Sequence, residues 1–194
     1  MTARTNNMCR EKSQGGKARL PGDLEPADLI ERMIRVDHAG EYGARRIYEG
    51  QLAVLRRTES AATIRRMHEQ ELQHLKHFED LMVARGARPT ALQPLWHIAG
   101  FALGAATGLM GERAAMACTV AVEEVIDEHY AQQAEQLGPE ETELKAKIEE
   151  FRQDELAHRD TALAQGAEQA PGYEILSAAI KSGSRLAIWL SERI

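Results

Sequence analysis

Two Glu-x-x-His pairs, Glu71–His74 and Glu155–His158, each follow an earlier glutamate at nearly the same interval. Glu41 stands 30 residues before Glu71, and Glu123 stands 32 before Glu155. Residues three apart on a helix share a face, so each pair can aim a carboxylate and an imidazole at one point. Each interval also holds a turn signal near its midpoint, around Thr58-Glu59-Ser60 in the first and at Gly138-Pro139 in the second. Folding each half at its turn brings its two glutamates to the same depth on antiparallel helices. The halves repeat, because Glu71 and Glu155 lie 84 apart and Glu41 and Glu123 lie 82 apart. One Glu-x-x-His pair carries little weight, since roughly one is expected by chance in so glutamate-rich a chain. The doubling at matched spacing is what constrains the fold: two similar helical hairpins that meet at one site.

The apolar periodicity supplies the helices. Leu29, Met33, Val36, Ile47, Leu52 and Leu55 mark a first helix from Pro26 to about Arg57, with Pro26 suited to a first turn. Gly40 and Gly43 each cost about 1 kcal/mol in a helix interior relative to Ala, so close packing or backbone access is expected beside Glu41. Ser60 is placed to cap a second helix, Ala61 to Ala84, which Gly86 and Pro89 end. An apolar segment starts near Pro94. A further helix follows Gly111-Glu112-Arg113 and stops at Leu137. The fourth core helix spans about Glu140 to Gln165, and an amphipathic stretch runs from Tyr173 to Ile194.

Glu41, Glu71, His74, Glu123, Glu155 and His158 are the candidate metal ligands. Carboxylate and imidazole together suit iron or manganese. One glutamate from each of two helices and Glu-x-x-His from each of two others is the ferritin-like di-iron pattern, in which four carboxylates balance two Fe(II) charges. The fold expected is therefore all-α, a ferritin-like four-helix bundle, with residues 1–25 a flexible tail and 26–194 the di-iron domain. The competing reading is two surface Glu–His pairs on charged helices. Spacing slightly prefers Glu124 to Glu123, but Glu123 shares a face with Met116, Val120, Ile126 and Tyr130. A hydrogen-bonding role is expected for His38, and solvent-facing positions for His68 and His77. Metal-bound imidazoles usually donate their outer N–H to a carboxylate or carbonyl. Asp37 and Asp127, each four residues from a proposed ligand, are the candidates.

A net charge of −6 argues against nucleic-acid binding, because no large basic surface meets phosphate. Two distant cysteines, Cys9 and Cys118, suggest no disulfide framework and fit a reducing compartment. The polar N-terminal stretch lacks a secretory apolar core.

Leu95–Met110 is an apolar run of 16 residues, short of the roughly 20 that span a bilayer, and Gly100, Gly104, Gly108 and Gly111 interrupt it. An interfacial segment is expected, with Trp96 at headgroup level. The C-terminal stretch offers Ile175, Leu176, Ile180, Leu186, Trp189 and Leu190 beside Lys181, Arg185 and Arg193. These are the additional apolar or amphipathic membrane-contacting helices of the expected fold; packing against the bundle or a second subunit is the alternative.

The stretch Arg35-Val36-Asp37-His38-Ala39-Gly40-Glu41-Tyr42-Gly43-Ala44 resembles the first-helix motif of the demethoxyubiquinone hydroxylases, the di-iron quinone monooxygenases of ubiquinone biosynthesis. So do Pro94-Leu95-Trp96, Gly100–Ala105, Ala115–Glu124 and Leu190-Ser191-Glu192-Arg193, and the resemblance covers about Asp28 to Ile194. It implies the six ligands above, with Glu123 chosen over Glu124, and two iron ions per chain. It also implies hydroxylation of a polyprenyl methoxy-methyl-benzoquinol with O2 and electrons from NADH, before the last O-methylation. The chain has no Gly-x-Gly-x-x-Gly fingerprint, so electrons are expected through a partner or the quinone itself. Tyr130, Arg32 and Arg185 are candidate contacts to the quinol head. A peripheral position on the cytoplasmic face of the cell membrane, or the matrix face of the mitochondrial inner membrane, is expected, as are a homo-oligomer and, in eukaryotes, a lipid-binding accessory protein. The rival readings are a ferritin- or rubrerythrin-like ferroxidase or peroxidase, and a non-enzymatic quinone- or lipid-binding protein.

Overall fold

The computed structural model describes Gly22 and residues 24–194, and every regular element among them is helical. Residues 1–21 and 23 of the expected tail lie outside the described residues, as does Cys9. Six helices follow in order: α1 (Pro26–Leu55), α2 (Ala61–Arg85), α3 (Gln93–Leu109), α4 (Glu112–Gln136), α5 (Thr142–Ala164) and α6 (Tyr173–Ser191).

Local chemistry sets the ends. Pro26 opens α1, and Asp28 sits in its first turn beside the positive end of the helix dipole. Gly86 takes a left-handed φ of 69°, which lets the Ala87 N–H close on the Met82 carbonyl at 3.0 Å and stop α2. α1 stops at Leu55 rather than Arg57, because Thr58 turns back and donates both its N–H and its hydroxyl to the Leu55 carbonyl (3.0 and 2.8 Å). α5 starts at Thr142 rather than Glu140, after a single 3-10 turn over Pro139–Glu141 on whose first carbonyl the Thr142 hydroxyl closes at 2.7 Å. Ser60 precedes α2 but does not cap it with its side chain. Its hydroxyl meets that of Thr58, and its N–H donates to Glu112 Oε2 at 2.9 Å, which pins the α1–α2 turn to the start of α4.

α1 packs on α2 and α4 packs on α5, forming two hairpins. Two apolar clusters join them, and both draw on α1, α2, α4 and α5. One gathers Tyr48, Leu55, Ile64, Met67, the alanine-rich start of α4 and Ala162. The other gathers Met33, Phe78, Tyr130, Leu137, Leu144, Ile148 and Phe151. All six candidate ligands fall between these clusters along their helices, so burying the apolar side chains at both ends holds the polar middle in place.

α3 lies along α1, and α6 lies along α4. Glycines on both helices make the first contact possible: a Cβ on Gly104 of α3 would collide with the Ile47 carbonyl, and one on Gly50 of α1 with the Phe101 carbonyl. Outward from that seam, Leu95, Ile98 and Leu109 of α3, Met110 just beyond it, and Ile175, Leu186 and Trp189 of α6 are exposed. Among the described residues, no helix is long and apolar enough to cross a membrane.

Candidate metal centre

The six candidate ligands meet. Each is at most 4% exposed, from Glu71 and Glu155 at 0% to His158 at 4%. They form two adjoining groups, Glu41, Glu71, His74 and Glu155 in one and Glu71, Glu123, Glu155 and His158 in the other, with donor atoms within 4.8 Å of one another. Glu71 and Glu155 belong to both. Glu155 shows why: its Oε1 lies 3.0 Å from His74 Nδ1 and its Oε2 lies 3.1 Å from His158 Nδ1. Two positions therefore share two carboxylates, and each has a glutamate and an imidazole of its own.

Both imidazoles are turned the same way. His74 Nε2 faces Asp154 Oδ2 at 3.1 Å, and His158 Nε2 faces Gln70 Oε1 at 3.1 Å. Since both partners accept, each ring donates from Nε2 and presents Nδ1 to the centre. The expected partners, Asp37 and Asp127, do not serve the imidazoles. Asp127 accepts from Arg152 Nε at 2.6 Å, and Asp37 accepts from Gln133 Nε2 at 2.6 Å. The rings reach across between α2 and α5, so their outer nitrogens find acceptors on the facing helix, not on α1 or α4. Asp154 and Gln70 each immediately precede the glutamate of a Glu-x-x-His pair, a repeated position that could have revealed them.

The remaining two carboxylates are braced in the same reciprocal way. The Tyr48 hydroxyl of α1 donates to Glu123 Oε1 of α4 at 2.8 Å, and the Tyr130 hydroxyl of α4 donates to Glu41 Oε1 of α1. Each tyrosine stands seven residues, two helical turns, beyond the glutamate on its own helix. Tyr48 was not among the sequence-derived candidates, yet the doubled Glu-x6-Tyr spacing is visible in the chain.

Burial and mutual repulsion dominate the electrostatics. Desolvation, then the charge of Glu155, raises Glu71 and Glu123 well above the usual carboxylate range. Burial alone would raise Glu155 too, but the His158 and His74 imidazoles beside it hold it at about 2. His74 goes up to about 12, its burial outweighed by Glu155 and Glu41, and His158 is raised for a like reason, chiefly by Glu155. Without cations the centre thus gathers protons. The donors also fit metal: both oxygens of Glu71, one oxygen each of Glu41, Glu123 and Glu155, and His74 Nδ1 are buried without a hydrogen-bond partner among the described residues. Carboxylate oxygens and imidazole nitrogens at that density suit iron or manganese.

Other candidates separate cleanly. Glu124 pairs with Lys181 of α6 and stays out of the centre. His38 is buried and stacks on Tyr42 with Nδ1 unpartnered, so its expected hydrogen bond is not made there. His68 lies 3.7 Å from Glu49. His77 is half-buried, with its ring edge-on to Phe78 and Phe151, and does not simply face solvent.

Beside the centre lies a cavity of about 550 Å³ bounded by α1, α3, α4 and α6. Its walls are mainly apolar (Ile47, Leu103, Val122, Ile126, Leu176, Ile180), and Gly40 and Gly43 leave it open, as nothing stands within 4 Å of an added Cβ at either. Backbone access fits both glycines, and α3 also approaches closely at Gly43, whose carbonyl a Cβ on Gly100 would meet. Asp37, Glu41, His129 and Tyr130 form its polar end. Of the three candidate head contacts, Tyr130 lines this cavity. Arg32 lines a separate small depression with His129, Gln132 and Glu192, and Arg185 is exposed and paired with Glu128 at 3.0 Å.

The described residues are thus a helical protein with a buried carboxylate–imidazole centre able to hold metal ions, beside a mainly apolar cavity. A profile of ubiquinone biosynthesis protein COQ7 matches residues 28–191, and the chain belongs to that family. It is 59% identical over 177 residues to a 3-demethoxyubiquinol 3-hydroxylase of Rhodospirillum rubrum, covering 91% of this chain and 84% of the relative. It is 54% identical to the mitochondrial NADPH-dependent 3-demethoxyubiquinone 3-hydroxylase of Mus musculus, covering 84% of this chain and 77% of the relative. Identity to the mitochondrial 5-demethoxyubiquinone hydroxylase of Saccharomyces cerevisiae is 41%, covering 87% and 79%.

Proposed function

We propose that this chain hydroxylates the ring of a polyprenyl methoxy-methyl-benzoquinol in ubiquinone biosynthesis, giving the hydroxylated quinol that a final O-methylation consumes. The observation that carries the reading is the junction of the carboxylate–imidazole centre with the apolar cavity at Glu41 and Tyr130. The helices α1, α2, α4 and α5 are read as a ferritin-like four-helix bundle. Two iron ions held there, between Glu41 and His74 on one side and Glu123 and His158 on the other with Glu71 and Glu155 shared, would supply electrons and open coordination positions to O2. Asp154 and Gln70 keep both Nδ1 atoms turned inward, while Tyr48 and Tyr130 hold Glu123 and Glu41 in register. The apolar walls exclude water from the ring and leave room for the prenyl chain to pass between α3 and α6.

The exposed apolar side chains of α3 and α6 support a reading in which those helices lie against the membrane that holds the quinone, on its cytoplasmic or matrix face. Electrons come from a nicotinamide dinucleotide; relatives carry NADPH in their names, and NADH is the donor that the resemblance implies. Arg32 and Arg185, which stand outside the cavity wall, would meet the quinol only near its entrance. A homo-oligomer and a lipid-binding accessory protein belong to the same reading.

The test is the quinone pool of a cell lacking this gene, measured by mass spectrometry with wild-type or Glu155→Ala copies restored. The demethoxy-quinone accumulates in the deletion strain and is cleared by the wild type but not by the variant. A normal pool in a strain without a redundant hydroxylase sinks the proposal and favours a ferroxidase.

A further inference from the structure

We infer that Asp37 holds a hydroxyl of the quinol head through Oδ2, and so selects the reduced ring over the quinone. The inference rests on the cavity being the quinol site. Asp37 stands one helical turn before Glu41 on α1, and both line the cavity with His129 and Tyr130 of α4. The donors nearest this polar end are already committed. The Tyr130 hydroxyl donates to Glu41, and Gln133 Nε2 donates to Asp37 Oδ1 at 2.6 Å while lying 2.9 Å from His129 Nε2. His129 Nε2 also lies 3.4 Å from Asp37 Oδ1, so Gln133 and His129 both serve that oxygen and leave Oδ2 to the cavity. Asp37 Oδ2 is buried and has no hydrogen-bond partner among the described residues.

An acceptor in an apolar wall reads the oxidation state of a benzoquinone ring directly. The quinol brings two O–H donors, one of which satisfies Oδ2. The quinone brings only carbonyl oxygens, whose lone pairs would face the carboxylate across a cavity with little water, and an unpaired buried polar group is costly. The names of the relatives divide between quinol and quinone, and Asp37 decides for the quinol.

The experiment is calorimetric titration of the metal-loaded, full-length protein under argon. Three short-tailed probes are used: the methoxy-methyl-benzoquinol, its quinone, and the ring analogue with hydrogen in place of both hydroxyls, which fits the same space and has no donor. The wild type should bind the quinol at least about tenfold more tightly than either other probe. Asp37→Asn, which puts an N–H donor into the same outline, should narrow that ratio to about twofold or reverse it. Equal affinities for the three probes, or an unchanged ratio in an Asp37→Asn protein that melts like the wild type, overturn the assignment while leaving the cavity as the quinol site. Failure of all three to bind overturns the cavity reading, and the assignment with it. If the variant does not fold, the wild-type series decides alone.

Discussion

Replacing Glu71 by glutamine should make the metal-free protein more stable while abolishing its response to metal. Glu71 is fully buried, neither of its oxygens has a hydrogen-bond partner among the described residues, and burial with the charge of Glu155 raises its pKa well above 4.5. A carboxyl raised in the folded state binds a proton that the unfolded chain releases, so its effect on stability is absent below about pH 4.5 and becomes a loss as pH rises towards the folded value. The loss grows by about 1.4 kcal/mol per pH unit, which limits it to about 3 kcal/mol at pH 7. Glutamine keeps the outline and removes the titration. At about 2–4 °C per kcal/mol for a chain of this size, the metal-free variant should melt a few degrees to roughly 12 °C higher at pH 7, and the two proteins should converge near pH 4.5. With Fe(II) added anaerobically at about 100 times its dissociation constant, the wild type should gain about 2.7 kcal/mol and the variant almost nothing. Scanning calorimetry of chelated and iron-loaded samples between pH 4.5 and 8 measures both effects. A metal-free variant no more stable than the wild type at pH 7, or a difference that ignores pH, would refute the electrostatic account of the centre.

Asp154→Asn leaves His74 Nε2 without its carboxylate acceptor, and iron affinity measured by chelator competition should fall roughly 10- to 100-fold with little change in helix content. Gly104→Ala should destabilise by about 1–3 kcal/mol in denaturant titration, because its methyl group meets the Ile47 carbonyl. Gly183→Ala, on α6 with open space around the added carbon, should instead gain about 0.5–1 kcal/mol; equal effects at the two sites would contradict the α1–α3 packing.

The centre was legible because helical spacing translates into geometry with few intermediate assumptions. Glu41, Glu71, Glu123 and Glu155 recur at intervals that a hairpin converts into a shared depth, and the structure brings them together with both histidines. Helix ends read from Pro26, Gly86 and Gly138-Pro139 fall within a few residues of the observed ones for the same reason: turn chemistry is local. What stayed hidden depends on contacts between helices. Asp37 and Asp127 look equivalent along the chain, four residues from a ligand, but one faces Gln133 and the cavity and the other faces Arg152. Arg185 carries a suitable charge in a suitable helix, yet its side chain turns to Glu128. The glycines of α3 break the apolar run in the sequence, and in the fold they are the surface on which α1 lies.

The most direct test of the account is a single-turnover reaction of the iron-loaded protein with a short-tailed demethoxy-quinol under 18O2, followed by mass spectrometry of the quinol and iron analysis of the protein. The account predicts two irons per chain and a hydroxylated ring carrying one 18O atom, with Glu155→Ala yielding neither. A fully iron-loaded wild type that leaves the ring untouched, or a product whose new oxygen comes from water, would contradict it.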